Sequence, residues 1–414
     1  MTLMHRAVAA LALSTLLATS ALAAPQAAGP AWVGTWASSQ MSPDAKNALA
    51  PEDYAGATLR QVVRVSLGGD TVRVRLSNAF GTEPLRIVGA HLALSAALDS
   101  ARIDPASDRA LTFSGRTEVT IPAGADYWSD PVALPVKPLA SLAVSLRYAA
   151  APTGQTGHPG SRATSYVLAG DHLADADLPG AKTADRWLQI AGVDVLSAKA
   201  AAVVVLGDSI TDGYGVKPNT NARWTDILAQ RLVAAPATRH VGVLNQGIGG
   251  NRVLRDGLGP NALARFDRDV LSQAGVRWAV LLEGVNDMGV LTRDQPATPE
   301  AHAALVAEVT SAYRQMIDRA HARGIKMIGA TVTPYGASAY YHPDARNEAD
   351  RQAINAWIRA PGHFDAVIDF DHLMRDPTQP ERMLKAYDSG DGLHPSPAGY
   401  TVMGQAVPLS LFAR

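Results

Sequence analysis

The apolar residues of this chain change their spacing once, and that change limits what the chain can fold into. From about residue 31 to residue 195 they alternate with polar residues, whereas beyond residue 200 short apolar runs alternate with stretches of helical period. Alternation with period two makes strands with one buried face, and strand–helix alternation makes a parallel sheet covered by helices. The chain therefore divides into an all-β sandwich domain over residues 24–195 and an α/β domain over residues 196–414, preceded by residues 1–23. At 414 residues, 47% of them hydrophobic, there is enough apolar material for two cores rather than one.

In the first region Val63, Val65 and Leu67 alternate with Arg64 and Ser66, Gly68, Gly69 and Asp70 turn the chain, and Val72, Val74 and Leu76 alternate with Arg73 and Arg75. This pattern predicts a β-hairpin with one face buried. Leu142, Val144, Leu146 and Tyr148 repeat the alternation after Pro131, Pro135 and Pro138, and several such strands without helical stretches imply a sandwich. Tyr127, Trp128 and Trp187 are read as core or interface residues ahead of a glycan platform. The polar loop 157–162 is long enough to reach a neighbouring active site.

The second region opens with Val203, Val204, Val205 and Leu206, apolar on both faces, and stops at Gly207, Asp208 and Ser209. Such a run suits a strand buried between two helical layers. Open α/β sheets carry their chemistry at the carboxyl ends of the strands, so Ser209 is a candidate nucleophile. Trp224, Ile227, Leu228 and Leu232 recur at helical spacing. Further strands are expected over 241–244, 278–282, 326–332 and 366–370, and helices over 261–271, 299–323, 347–359 and 397–407. Gly324 ends the long helix, and Ser396 followed by Pro397 starts the closing one.

Three more polar blocks follow apolar stretches. They are Asn245 Gln246 Gly247 Ile248 Gly249 Gly250 Asn251, then Gly284 Val285 Asn286 Asp287, then Asp391 Gly392 Leu393 His394 Pro395. Read alone, each has an ordinary explanation: Asp208 and Ser209 cap a helix, Asn286 and Asp391 sit in turns, and His394 is a loop residue. Their occurrence together, in this order, supplies the parts of an acyl-transfer site.

The four blocks together resemble the SGNH, or GDSL, hydrolase superfamily, whose members cleave carboxylic esters, over roughly the second half of the chain. The resemblance implies a three-layer α/β/α domain with Ser209 as nucleophile. It also implies an oxyanion hole made by the backbone N–H groups of Ser209 and Gly250 and the side-chain amide of Asn286, and a triad completed by Asp391 and His394. The second and third blocks look most like those of the subgroup linked to xylan-degrading and aryl-ester-cleaving enzymes. That likeness implies esters, chiefly acetyl, of carbohydrates or aryl alcohols, with an acetylated polysaccharide as one such substrate.

The chemistry asks for these residue types. A serine hydroxyl is a weak nucleophile until a neutral imidazole takes its proton. Attack puts charge on the former carbonyl oxygen, which preorganised donors must meet. A carboxylate then holds the imidazole in one tautomer and stabilises the imidazolium. A backbone carbonyl or a neighbouring aspartate can orient a histidine equally, so the Asp391 assignment stays open at this level.

Other chemistries fit worse. Thr211 breaks the Gly-x-Ser-x-Gly pattern of an α/β-hydrolase, and no Gly-x-x-x-x-Gly-Lys, Gly-x-Gly-x-x-Gly or His-Glu-x-x-His run occurs. There is no cysteine, which excludes disulfides and thiolate sites, and the eleven histidines are scattered. Residues 388–392 read as a turn rather than a calcium loop; neither metal nor cofactor is expected. A net charge of −1 offers no basic footprint for nucleic acid. Residues 252–260 are expected to form a surface loop at the pocket rim, with Arg252 facing either an anionic or hydroxylated substrate or a salt-bridge partner. The start is a basic segment, then a small apolar run over 7–22 and Ala21 Leu22 Ala23, which reads as a signal peptide cleaved near Ala23 and directs the protein to the periplasm or the medium. That run is short for a membrane span. Two rival functions share these features: a lipase-like acylester hydrolase with a larger apolar acyl pocket, and a non-catalytic glycan-binding protein on the same fold.

Overall fold

Residues 201–207 do form a strand in the middle of a sheet. The computed structural model describes residues 29–413; the expected signal peptide over 1–23 lies outside the described residues. Five parallel strands stand in the spatial order Val241–Gly247, Ala201–Gly207, Val276–Leu282, Lys326–Ala330 and Ala366–Ile368. Side chains along Ala201–Gly207 alternate between two apolar layers. Ala202, Val204 and Leu206 share a core with Phe266, Tyr313, Met316 and Ile354, and Ala201, Val203 and Val205 share another with Trp224, Leu228, Leu232 and Met403. The first set of partners comes from helices Ala262–Phe266, Pro299–His321 and Ala345–Arg359, the second from Trp224–Ala234 and Pro397–Ala406. This is the three-layer arrangement expected, and it explains why the strand carries no polar face.

Several element ends differ from expectation by two or three residues, the strand over 241–244 running on to Gly247 and that over 326–332 stopping at Ala330, and two elements differ in kind or by a local cap. The helix over 261–271 is a short α-helix, Ala262–Phe266, continued by a wide π turn, Asp267–Leu271. The last strand stops at Ile368 because Asp369 caps the helix Phe370–Met374, accepting from the His372 N–H at 3.0 Å.

Because the first strand of this sheet lies between the second and third, the chain leaves it in opposite directions on its two sides. A crevice opens at the carboxyl ends where the order reverses, and Ser209 stands there.

The preceding region is built of a two-stranded antiparallel ribbon, Gly157–His158 with Trp187–Leu188, and two large antiparallel sheets. One holds Ala31–Ala37, Ile190–Ser197, Gly69–Ser77, Asp126–Trp128 and Val132–Val136; the other holds Lys182–Ala184, Ser165–Ala169, Ala57–Arg64, Ser141–Tyr148, Leu85–Leu94, Arg109–Ala110 and Val119–Ile121. The expected hairpin between residues 63 and 76 is not formed. Ala57–Arg64 pairs with Ser141–Tyr148 and Ser165–Ala169, whereas Gly69–Ser77 pairs with Ile190–Ser197, Asp126–Trp128 and Val132–Val136. The connection crosses from one sheet to the other, so the two apolar rows meet across the core instead of side by side. Thr35 fastens the crossing, its hydroxyl donating to the Leu67 carbonyl at 2.9 Å and accepting from the Leu67 N–H at 2.6 Å. Nor is only one face of Ala57–Arg64 buried: Arg60, on the other face, is wholly enclosed and donates to Ser145 Oγ and the Ala101 carbonyl, both at 2.8 Å. Trp187 is a core residue, edge-on to Trp36 with ring centroids 4.9 Å apart, while Tyr127 is exposed.

The two regions are joined by buried polar contacts. Ser66 Oγ accepts from the Val243 N–H at 2.9 Å, and the Gly34 N–H donates to the Ala274 carbonyl at 2.9 Å. Ser39, just beyond the first strand, accepts from Arg265 Nη1 at 2.8 Å and donates to Asp269 Oδ2 at 2.8 Å. The sandwich therefore reaches under the loops that end the parallel strands.

Candidate active site

Ser209 is the first residue of the short helix Ser209–Asp212, which follows the strand Ala201–Gly207 after one residue. That residue, Asp208, caps the helix by accepting from the Ile210 N–H at 2.8 Å. A first helical residue has no intrahelical partner for its own N–H, so the Ser209 amide is left for a ligand. Gly250 follows the neighbouring strand at a φ of +69°, in the left-handed region that favours glycine. Asn286 is the second residue of Val285–Arg293, after the third strand.

The remaining pair comes from the loop before Pro397–Ala406. Ser209 Oγ lies 2.8 Å from His394 Nε2, and His394 Nδ1 lies 2.6 Å from Asp391 Oδ2. The other carboxylate oxygen of Asp391 accepts from the backbone N–H groups of Leu393 and His394, at 2.9 and 2.8 Å. The structure thus brings Ser209, His394 and Asp391 into one relay and sets Gly250 and Asn286 beside it, lining a cavity of about 720 Å³. Residues 388–392 are the turn expected, with Asp388 Oδ1 accepting from the Gly390 and Gly392 N–H groups at 2.7 and 3.1 Å.

Burial lowers the His394 pKa below its ordinary 6.5, against the pull of Asp391, which favours the charged ring. Burial works the other way on Asp391, yet the His394 N–H, the His394 ring and the Leu393 N–H together hold its carboxyl below the usual 3.8. At neutral pH the pair is therefore a carboxylate beside a neutral imidazole, the state a general base requires.

Beneath Ser209 sits a cluster of buried ionisable groups. The Arg265 guanidinium, fully enclosed, donates to the Gly207 carbonyl at 3.0 Å, the Gln246 carbonyl at 2.7 Å and Asn251 Oδ1 at 2.8 Å. It also meets Asp269 at 3.0 Å and Glu283 at 3.4 Å. It thereby ties the ends of three strands to one another. Burial raises Asp208 to about 7 and Asp287 to about 6, and pushes Glu283 well up.

Sequence reasoning did not find Arg265, Tyr214 or Tyr341. Tyr214 lies flat on the His394 ring, centroids 4.1 Å apart. Tyr341, from the loop after the fourth strand, donates its hydroxyl to Asn286 Oδ1 at 2.6 Å. The only signal for Tyr341 was its place on a loop at the carboxyl edge of the sheet, where ligands collect. Loop 157–162 does not line the cavity but reaches the segment behind Ser209, where His158 Nε2 is 2.9 Å from Asp212 Oδ1, and Arg162 lies 5.8 Å from the ring centre of the cavity-lining Tyr214. Arg252, Gly257 and Leu258 line the cavity, as the rim loop was expected to do, and Arg252 donates to the Asp256 carbonyl.

The model of the GDSL-like lipase/acylhydrolase family matches residues 205–402. Those residues form a GDSL-like lipase/acylhydrolase domain. The match takes in Ser209, Gly250, Asn286, Asp391 and His394, and with the site it makes the protein a carboxylic ester hydrolase of the SGNH, or GDSL, type. Solved structures similar to the domain include a putative lipolytic protein of the G-D-S-L family from Desulfitobacterium hafniense DCB-2, 21% identical, covering 50% of this chain and 97% of that one with a TM-score of 0.37. The acetyl xylan esterase AlAXEase is 21% identical over 50% of this chain and 96% of its own, with a TM-score of 0.38. An acetyl xylan esterase from Geobacillus stearothermophilus is 18% identical over 50% and 93%, with a TM-score of 0.38. No curated protein matches the chain.

Proposed function

We propose that this GDSL-type hydrolase is an exported serine esterase that removes acyl groups, chiefly acetyl, from carbohydrates or aryl alcohols through an acyl-serine intermediate. The observation that carries the reading is the unbroken relay from Ser209 Oγ through His394 to Asp391, at 2.8 and 2.6 Å. In this reading His394 Nε2 takes the Ser209 proton as Oγ attacks the ester carbonyl carbon, and Asp391 stabilises the imidazolium that forms. The oxyanion is met by the N–H groups of Ser209 and Gly250 and by Nδ2 of Asn286. His394 returns the proton to the departing alcohol, and then activates water to release the acid and free Ser209. Export rests on the basic start and apolar run of residues 1–23.

A second reading has a specific observation in its favour. Of the large hydrophobic residues exposed among the described residues, Tyr214, Leu258 and Tyr340 all line the cavity. An apolar rim of this kind also suits a longer acyl chain, as in a lipase-like acylester hydrolase.

The deciding experiment is an ester panel of acetylated xylan, acetylated monosaccharides, aryl acetates and p-nitrophenyl esters of longer acids, run on the wild type and on Ser209→Ala. The proposal expects acetyl esters to turn over fastest and Ser209→Ala to lose about 10⁶ in kcat. Turnover that rises with acyl length selects the lipase-like reading, and affinity for sugar without turnover overturns both.

A further inference from the structure

The Asn286 amide has more partners than an oxyanion donor strictly needs. Its Nδ2 gives one hydrogen to the Asn251 carbonyl at 2.7 Å, and its Oδ1 accepts the Tyr341 hydroxyl at 2.6 Å. With that hydrogen committed, the second Nδ2 hydrogen is the one donor of the amide left for the cavity that Asn286 lines beside Ser209.

Tyr341 is itself fixed. It is 3% exposed, its ring packs edge-on against Tyr335 and Tyr340, and its N–H reaches Ser338 Oγ at 3.3 Å. Glycine at 289, one turn along the helix from Asn286, makes room for the ring, because a Cβ there would collide with Tyr341 Cγ. Burial pushes the phenol above the ordinary tyrosine value, so the hydroxyl stays a donor.

We propose that Tyr341 is a positioning residue of the oxyanion hole, whose hydroxyl holds and polarises the Asn286 amide so that its free N–H points where the substrate carbonyl oxygen gains charge. The assignment rests on the reading of Asn286 given above. A hydrogen bond accepted by an amide oxygen draws electron density from the nitrogen and strengthens what the N–H donates. Tyr341 also lines the cavity, and the effect assigned to it passes through Asn286.

The test is a double-mutant cycle on p-nitrophenyl acetate with Tyr341→Phe, Asn286→Ala and the pair, each checked for its melting temperature. Tyr341→Phe is expected to lower kcat about tenfold, the effect of one ordinary hydrogen bond, with KM unchanged. Asn286→Ala is expected to lower kcat about 10² to 10³, and adding Tyr341→Phe to it is expected to cost nothing more. Gly289→Ala, which displaces the ring by another route, should reproduce the kcat loss of Tyr341→Phe without adding to it.

Three results would overturn the proposal: an unchanged kcat in Tyr341→Phe, an equal loss in both Asn286 backgrounds, or a rise in KM alone. Full activity in Asn286→Ala and Ser209→Ala would instead remove the catalytic reading beneath it, so the two failures are distinguishable.

Discussion

The two sides of the site are held in opposite ways. The side proposed to meet the oxyanion, Ser209, Gly250 and Asn286, stands on strand ends that Arg265 ties together from below, with Ser39 of the sandwich bonded to the same guanidinium. The side proposed for acid–base work is a surface turn in which Asp391, its side chain 41% exposed, is held by residues within three positions of itself. Donors that must meet a charge at a fixed point gain from a rigid frame, since none of the stabilisation is then spent on reorganisation. A histidine that carries a proton first from the serine and then to the leaving alcohol needs only to be kept in the correct tautomer, which a local turn can do.

This contrast can be broken by mutation. Asp391→Asn should lower kcat by up to about 10⁴, because Nδ1 of His394 loses its acceptor. Its urea midpoint should stay close to the wild type, as expected for a partly exposed side chain. Arg265→Met should do the reverse in kind, costing about 3–5 kcal/mol of stability by urea titration, since Glu283 would lose its ion-pair partner, Asp269 would keep only Arg268, and the buried Gly207 and Gln246 carbonyls would lose a donor. If Asp391→Asn unfolds the protein or Arg265→Met leaves its stability untouched, the distinction between a rigid floor and a local turn fails.

A smaller effect sharpens the acid–base half. Protonation removes the base, and burial places the His394 pKa below 6.5. The acid limb of kcat/KM should therefore lie below pH 6.5 and fall about tenfold per pH unit beneath it. Because Asp391 favours the charged ring, the limb of the residual activity in Asp391→Asn should move to still lower pH. A limb above pH 6.5 in the wild type would mean that another group controls the rate.

The same contrast governs what the sequence reveals. Residues lining the site follow strand ends or lie in a turn, and several bring their signal with them: an apolar run that stops at Ser209, a glycine at 250 where φ is positive, and an Asp-x-x-His turn closed by its own backbone bonds. The floor is different. Arg265 sits in an ordinary helical stretch, and beyond the i,i+4 pair with Asp269 nothing local shows that its partners come from residues 39, 207, 246, 251 and 283. Tyr341 likewise meets Asn286 from 55 positions away.

In the sandwich, period two shows which side of a strand is buried but not which strand lies beside it. Val63 to Leu76 satisfies a hairpin and a sheet-to-sheet crossing equally well, and the choice is made by Thr35 and by the two sheets that claim the flanking strands. Pairing is a long-range property that alternation does not encode.

The most direct measurement is covalent trapping. The full-length protein is treated with a fluorophosphonate, and its peptides are mapped by mass spectrometry, for the wild type and for His394→Ala. The account predicts stoichiometric labelling at Ser209 with loss of esterase activity, and labelling slowed by orders of magnitude in His394→Ala. Labelling at another residue while activity disappears, or full activity with Ser209 modified, would contradict it.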